Sequence, residues 1–467
     1  MSNYDHYQQH LQNTKQELDN ISPSFCAAKW KQVTMHLQNG MNHSCHHPKT
    51  HVVPLSEIRI NPTALHNSEF KKLQRKKMLE GVRPEECDYC WRVEDSGQGS
   101  LSDRVYKSAD NWAKPFIPDI ASKSWDDNVD PSYVEVSFSN VCNFKCSYCA
   151  PHISSQWMDE IDKHGPYPTS TKYNNLEYLR QENMMPILNR EENPYVEAFW
   201  KWWPTMYRSL QHFRITGGEP LLSKNTFKVL DYIIENPNPN LEFSINSNMN
   251  PPEKVFDTFL EKIKIIIDEK KVKRFKIFTS AEAHGKQSEY IRYGMNYDMW
   301  LKNIHRMYKE IPGIEFTVMS TYNIFSLTSY IPFLKDVLEI KREYGRHDDD
   351  RNPMLLDVPY LRYPDHQAIF IMDPSWIQMI YDHVTFIYQN LEYKNWYGTA
   401  NRGFYEHEAD KLKRIYNIAK NFTENEWTSP NRKNFTIFVD EHDRRRGTNF
   451  AETFPEFVPA YEQWKKL

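Results

Sequence analysis

Three cysteines within eight residues, Cys142, Cys146 and Cys149, follow directly on a stretch where Val134, Val136 and Phe138 alternate with polar neighbours. Such alternation reads as a half-buried strand, so the run C-x3-C-x2-C forms the loop that leaves it. Thiols at this spacing point to metal. Cube-forming iron–sulfur clusters normally take four cysteine thiolates; three hold three irons and leave the fourth iron open to a small molecule. The fold must therefore present this loop at the end of a well-supported strand.

A second motif lies at the end of the next predicted strand, in Phe213-Arg214-Ile215-Thr216-Gly217-Gly218-Glu219-Pro220. Adjacent glycines permit close backbone approach, and Glu219 offers a carboxylate to an ammonium group. The chain has only 14 glycines, so the pair is not compositional noise, although alone it also suits an ordinary turn. Together the motifs resemble the radical S-adenosylmethionine (SAM) superfamily, with its C-x3-C-x-aromatic-C loop and Gly-Gly-Glu-Pro element. The resemblance implies that Cys142, Cys146 and Cys149 hold a [4Fe-4S] cluster with an open iron site that binds SAM. It places Tyr148 near the adenine, and Gly217, Gly218 and Glu219 at the methionyl amine. It also implies reductive cleavage of SAM to a 5′-deoxyadenosyl radical, which abstracts hydrogen from a substrate.

Four cysteines remain: Cys26, Cys45, Cys87 and Cys90. Cys87-Asp88-Tyr89-Cys90 is a C-x2-C knuckle, and Cys26, Gly40 and Cys45 read C-x13-G-x4-C. This is similar to the twitch and SPASM modules of radical SAM enzymes, which bind an auxiliary [4Fe-4S] cluster, although those modules usually follow the barrel. The resemblance places this second cluster across the barrel mouth, accepting an electron from the substrate. Structural zinc held by four cysteines is the chemical alternative. With it goes the alternative that the chain binds SAM or a cluster without turnover. Disulfides rank below both, since a low-potential cluster implies a reducing compartment.

At 467 residues the chain is long enough for two or three domains. Its net charge of −4 argues against nonspecific nucleic-acid binding. The polar N-terminus lacks an apolar signal core, and no apolar run reaches the roughly 18 residues of a membrane span. A cytoplasmic enzyme is the expectation, with no nucleic-acid or membrane partner. Its partners would be a small-molecule or peptide substrate and a low-potential donor such as flavodoxin or ferredoxin.

Along the chain we expect a helical lead over 1–25 and a cysteine module of mostly loops over 26–110. A linker follows over 111–131, then a barrel over 132–372 and an α/β extension over 373–467. Strands alternating with helices from Tyr133 imply parallel β/α units, hence an α/β fold. The resemblance makes it a partial (β/α)6 barrel, with chemistry at the C-terminal strand ends. Five strands are plain, the sixth is sought around Ala368–Ile371, and a further strand is expected at Phe435–Val439. In relatives such as molybdenum-cofactor cyclases, positions matching Arg214 and Ser247 touch substrate, and one matching Ser280 touches SAM. Arg292 resembles an arginine used for the SAM carboxylate; a helix-end salt bridge is its ordinary role. The triple arginine Arg444-Arg445-Arg446 reads as a solvated face, or as an anion site if it lies at the barrel mouth. The substrate class (peptide, sugar or nucleotide) is not legible.

Overall fold

The computed structural model describes residues 3–97, 100–345, 353–392 and 402–467, with side chains from residue 6. Its centre is a nine-stranded sheet. Six strands run parallel and lie side by side in chain order: β4 (Tyr133–Ser137), β6 (His212–Thr216), β7 (Asn238–Asn246), β8 (Val272–Ser280), β10 (Glu315–Met319) and β11 (Met354–Asp357). Helices Lys224–Glu235, Glu253–Asp268, Tyr297–Glu310 and Tyr330–Tyr344 make the crossovers after β6. Each strand buries one alternate set of residues, such as Phe213 and Ile215 on β6 or Phe275 and Ile277 on β8. Along β4, β6, β7 and β8 much of the other set, including Glu135, Arg214, Ser244, Lys276 and Phe278, stays half-exposed on one face, whereas on β10 Glu315 and Thr317 are buried as well. Among the described residues β11 is one end of the sheet and the short strand His51–Val52 the other, so the barrel is open.

The cysteine module is not a separate layer. Its strand β1 (Gln32–His36) pairs parallel with all five residues of β4, and β2 (Met41–His43) and β3 (His51–Val52) extend the edge antiparallel. Helices such as Glu69–Leu79 and Asp103–Ala109 replace the expected loops. The expected linker is also folded: Ile117 and Ile120 are buried beside Trp30 and Trp112 in a second core cluster.

Two strand assignments are corrected. Ile369–Ile371 is a single 3-10 turn, and the sixth strand is Met354–Asp357. Periodicity does not identify a four-residue apolar run; here Arg432 takes the carbonyls of Ile371 and Met372, which a sheet would need. Phe435–Val439 lies inside helix Thr428–Arg446. Phe435, Phe438, Val439, His442 and Arg446 are all buried, and their spacing of three, four and seven residues is helical. Within the C-terminal extension, Ile377–Gln389 is a helix. Trp202 and Trp203 are core residues of helix Pro194–Met206, Trp203 lying against Phe199 and Phe213.

Candidate cluster loop and cysteine pocket

The three-cysteine loop leaves the C-terminal end of β4 and is held along almost its whole backbone. The carbonyls of Ser139, Asn140 and Val141 accept from the amides of Gly218, Ser155 and Glu219. Ser154 donates to the Phe144 carbonyl at 2.7 Å, and the Trp157 indole to that of Cys146 at 2.8 Å. Arg446 donates to the Lys145 carbonyl at 2.6 Å. On the far side β5 (Lys145–Cys146) pairs antiparallel with β9 (Arg292–Tyr293).

The glycines explain how backbones come this close. A Cβ on Gly218 would stand 2.3 Å from the Val141 carbonyl oxygen, and one on Gly217 (φ +123°) 2.6 Å from the Ser137 hydroxyl. The Gly-Gly pair therefore makes room for the cysteine loop itself.

Glu219 is 2% exposed. Its carboxylate accepts from the Ser247 hydroxyl at 2.9 Å, the Leu221 amide at 3.1 Å and the Asn248 amide at 2.7 Å. Burial pushes its pKa up to about 7 although those three donors pull the other way. A carboxylate has about four acceptor positions, so one remains for a further donor. Ser247, expected at substrate, is thus engaged by Glu219.

Tyr148 and Arg292, expected around SAM, join a buried network. Arg292 donates Nε and Nη2 to Glu282 Oε2 at 2.9 and 2.6 Å, Nη2 also to the Tyr148 hydroxyl, and Nη1 to Cys146 Sγ at 3.8 Å. Tyr148 in turn donates to Glu282 Oε1 at 3.2 Å. Arg214 donates to Asn246 Oδ1 at 2.8 Å and lies 3.8 Å over the Phe278 ring, on the half-exposed sheet face. Ser280 closes β8, half-buried.

Two of the three arginines, Arg445 and Arg446, are buried anchors, while Arg444 stays exposed as a solvated face. Arg444 pairs with Glu441, Arg445 reaches the Gly165 carbonyl at 2.8 Å, and Arg446 pairs with Glu160 at 3.1 Å. Burial would raise the Glu160 carboxyl, but Arg446 and Lys145 beside it hold it down at about 2. Sequence reasoning missed Glu160 and Trp157 as supports of the loop, because nothing in their local spacing ties them to it.

Cys26, Cys45, Cys87 and Cys90 line one small cavity beside Lys29 and Arg104. Burial pushes the Cys87 and Cys90 thiols up to about 12 each. Burial would lower the Lys29 ammonium, but its ion-pair partner Glu86 helps hold it above its usual value. The cavity is not across the mouth. Cys26 precedes β1, Cys45 follows β2 at the level of the β1 start, and Cys26 and Cys87 share a core cluster with Tyr133 at the start of β4. The two cysteine sets thus lie toward opposite ends of the same strands.

All seven cysteines are free thiols. Among the described residues no three His, Cys, Asp or Glu side chains gather as ligands of a single metal ion. A zinc ion draws its four sulfurs to about 2.3 Å from one point, whereas a four-iron cube takes one thiolate per iron. As donor chemistry, three thiols on a pinned loop fit a four-iron cube with one iron left open, and four thiols around one cavity fit either a full cube or a zinc ion. Among the described residues no helix is long and apolar enough to cross a membrane.

No family model matches the chain. It is 24% identical over 215 residues to a GTP 3′,8-cyclase of Psychromonas ingrahamii, an alignment covering 45% of this chain. The chain spans about half the length of that curated relative, 52%. Among solved structures it is similar to Streptococcus suis SuiB, with a TM-score of 0.37, 14% identity and coverage of 87% of this chain and 77% of the other. SuiB bound to S-adenosylmethionine gives a TM-score of 0.35 at 13% identity, covering 78% and 71%. Native anSMEcpe with bound AdoMet gives 0.32 at 11%, covering 69% and 97%. The sequence match to the cyclase supports the radical SAM resemblance carried by the cysteine loop and the Gly-Gly-Glu-Pro turn.

Proposed function

We propose that this protein is a radical SAM enzyme whose [4Fe-4S] cluster is held by Cys142, Cys146 and Cys149. When bound, the cluster supplies the electron that cleaves SAM and yields the 5′-deoxyadenosyl radical that takes hydrogen from the substrate. The observation carrying this reading is the loop at the C-terminal end of β4, pinned against Gly217, Gly218 and the buried Glu219. That is the strand end at which chemistry concentrates in parallel β/α barrels.

The chain's own residues orient and shield. Ser247, Leu221 and Asn248 fix the Glu219 carboxylate, leaving one acceptor position for the SAM ammonium. The half-exposed face bearing Arg214 and Phe278 would offer a charged, aromatic bed for substrate. Its substrate would be a nucleotide, sugar or peptide, and the likeness to a GTP 3′,8-cyclase favours a nucleotide. Cys26, Cys45, Cys87 and Cys90 would hold an auxiliary [4Fe-4S] cluster that accepts an electron from the substrate, and a flavodoxin or ferredoxin in the cytoplasm would reduce the first.

Anaerobic iron and zinc quantification tests this reading, on the wild type and a Cys142/Cys146/Cys149 triple alanine variant, together with release of 5′-deoxyadenosine from SAM under strong reductant. About eight irons falling to about four, with nucleoside release lost, is the expected result. About four irons falling to none with one zinc retained would make the four-cysteine cavity structural. Absence of nucleoside release from iron-loaded wild type would overturn the enzyme reading.

A further inference from the structure

Arg292 stands out as a cation committed to a thiol. It lies directly across the β5–β9 ladder from Cys146, and the Ser147 amide bonds to the Ile291 carbonyl at 2.7 Å, so backbone pairing fixes the two residues together. Its side chain is 9% exposed and its partner Glu282 is fully buried. Glu282 takes Nε and Nη2, Tyr148 takes Nη2, and Nη1 is aimed at Cys146 Sγ at 3.8 Å. A guanidinium fork held on two sides by a carboxylate and a phenol is a fixed donor. Of the neighbouring cysteines, only Cys146 has this contact: Cys142 Sγ accepts from the Phe144 amide at 3.4 Å.

We infer that Arg292, set by Glu282 and Tyr148, is a positioning residue that donates an N–H···S bond to the cluster ligand Cys146 and thereby raises the cluster's reduction potential. The inference rests on the radical SAM reading, and it assigns Arg292 to the cluster in place of the SAM carboxylate. One-electron reduction adds one negative charge to the cluster and its thiolates. A donor hydrogen bond and a fixed positive charge at one sulfur favour that reduced form, and hydrogen bonds to the sulfurs are among the determinants of cluster potential. Glu282 works against Arg292 electrostatically while holding it in place. Arg446, the other cation near Cys146, is committed to Glu160 and the Lys145 carbonyl.

The test is a dithionite redox titration of the anaerobically reconstituted full chain without SAM, followed by electron paramagnetic resonance. The loop cluster is the one whose signal changes when SAM is added afterwards. Arg292→Gln should move its midpoint to more negative potential, and Glu282→Gln, which removes a negative charge, to more positive potential. Arg292→Lys should fall between wild type and Arg292→Gln. A general loosening of the loop would not give shifts of opposite sign. Equal midpoints in wild type and Arg292→Gln, or shifts of the same sign in both neutral variants, would overturn the inference while leaving the radical SAM reading intact. Unchanged midpoints with SAM binding lost in Arg292→Gln would return the residue to the SAM carboxylate. If Arg292→Gln fails to fold, Glu282→Gln and Arg292→Lys still decide, by the sign of their shifts. A wild type with no SAM-responsive signal would sink both readings together.

Discussion

Glu219 shows how burial and function compete at a single carboxyl. Its pKa is raised from 4.5 to about 7, so the folded state holds a proton that the unfolded chain has already released. Stability therefore falls as pH rises from about 4.5 toward 7, and the loss is complete above 7. The penalty reaches roughly 3 kcal/mol by the usual 1.36 kcal/mol per unit. Denaturant melts of the metal-free protein should show this slope, and Glu219→Gln should remove it. The motif around Glu219 was legible in sequence, but its environment was not. Ser247 and Asn248 come from the next strand's exit, and nothing local in sequence says that they meet Glu219.

Among the elements, the turn after β6 is the most demanding. Gly218→Ala would place a methyl 2.3 Å from the Val141 carbonyl oxygen. Because the obstacle is backbone, relief requires moving the cysteine loop. The expected outcome is a loss of about 1–3 kcal/mol, the usual cost of overpacking, with less loop cluster retained after reconstitution; thermal melts and iron content check it. Elements were legible where their own period was long enough. The alternation of Val134, Val136 and Phe138 gave β4, and helix Glu253–Asp268 follows from Phe256, Phe259, Leu260 and Ile263. The failures came from short apolar runs. Phe435–Val439 holds only one helical turn of apolar residues, and its continuation at His442 and Arg446 is polar in type yet buried. A buried arginine with a partner looks like surface in sequence.

At the scale of the molecule, the C-terminal extension is a support for the three-cysteine loop. Arg446 is fully buried, bonds the Lys145 carbonyl, pairs with Glu160 and lies 4.8 Å from the Trp157 ring centroid. Arg446→Met should destabilise the fold by about 3–5 kcal/mol, the cost of breaking a buried pair. It should also lower iron retention at the loop while sparing metal at the four-cysteine cavity; metal analysis of the variant beside the Cys142/Cys146/Cys149 variant separates the two. This long-range contact was illegible because its partners lie nearly 300 positions apart, |i−j| = 286 for Arg446 and Glu160. The joining of the cysteine module to the barrel sheet was hidden for the same reason: β1 reads as a strand with no indication of which neighbour it pairs with.

That shared sheet acts as a ruler. Five consecutive rungs tie β1 to β4, and five residues at about 3.3 Å each span roughly 16 Å. Since one cysteine set follows the far end of β4 and the other flanks the near end of β1, the gap between them is set by a count of rungs. On the proposed reading, a molecule that reacts at the loop and hands an electron to the cavity would have to bridge part of that separation, which makes molecular length a criterion of choice alongside charge.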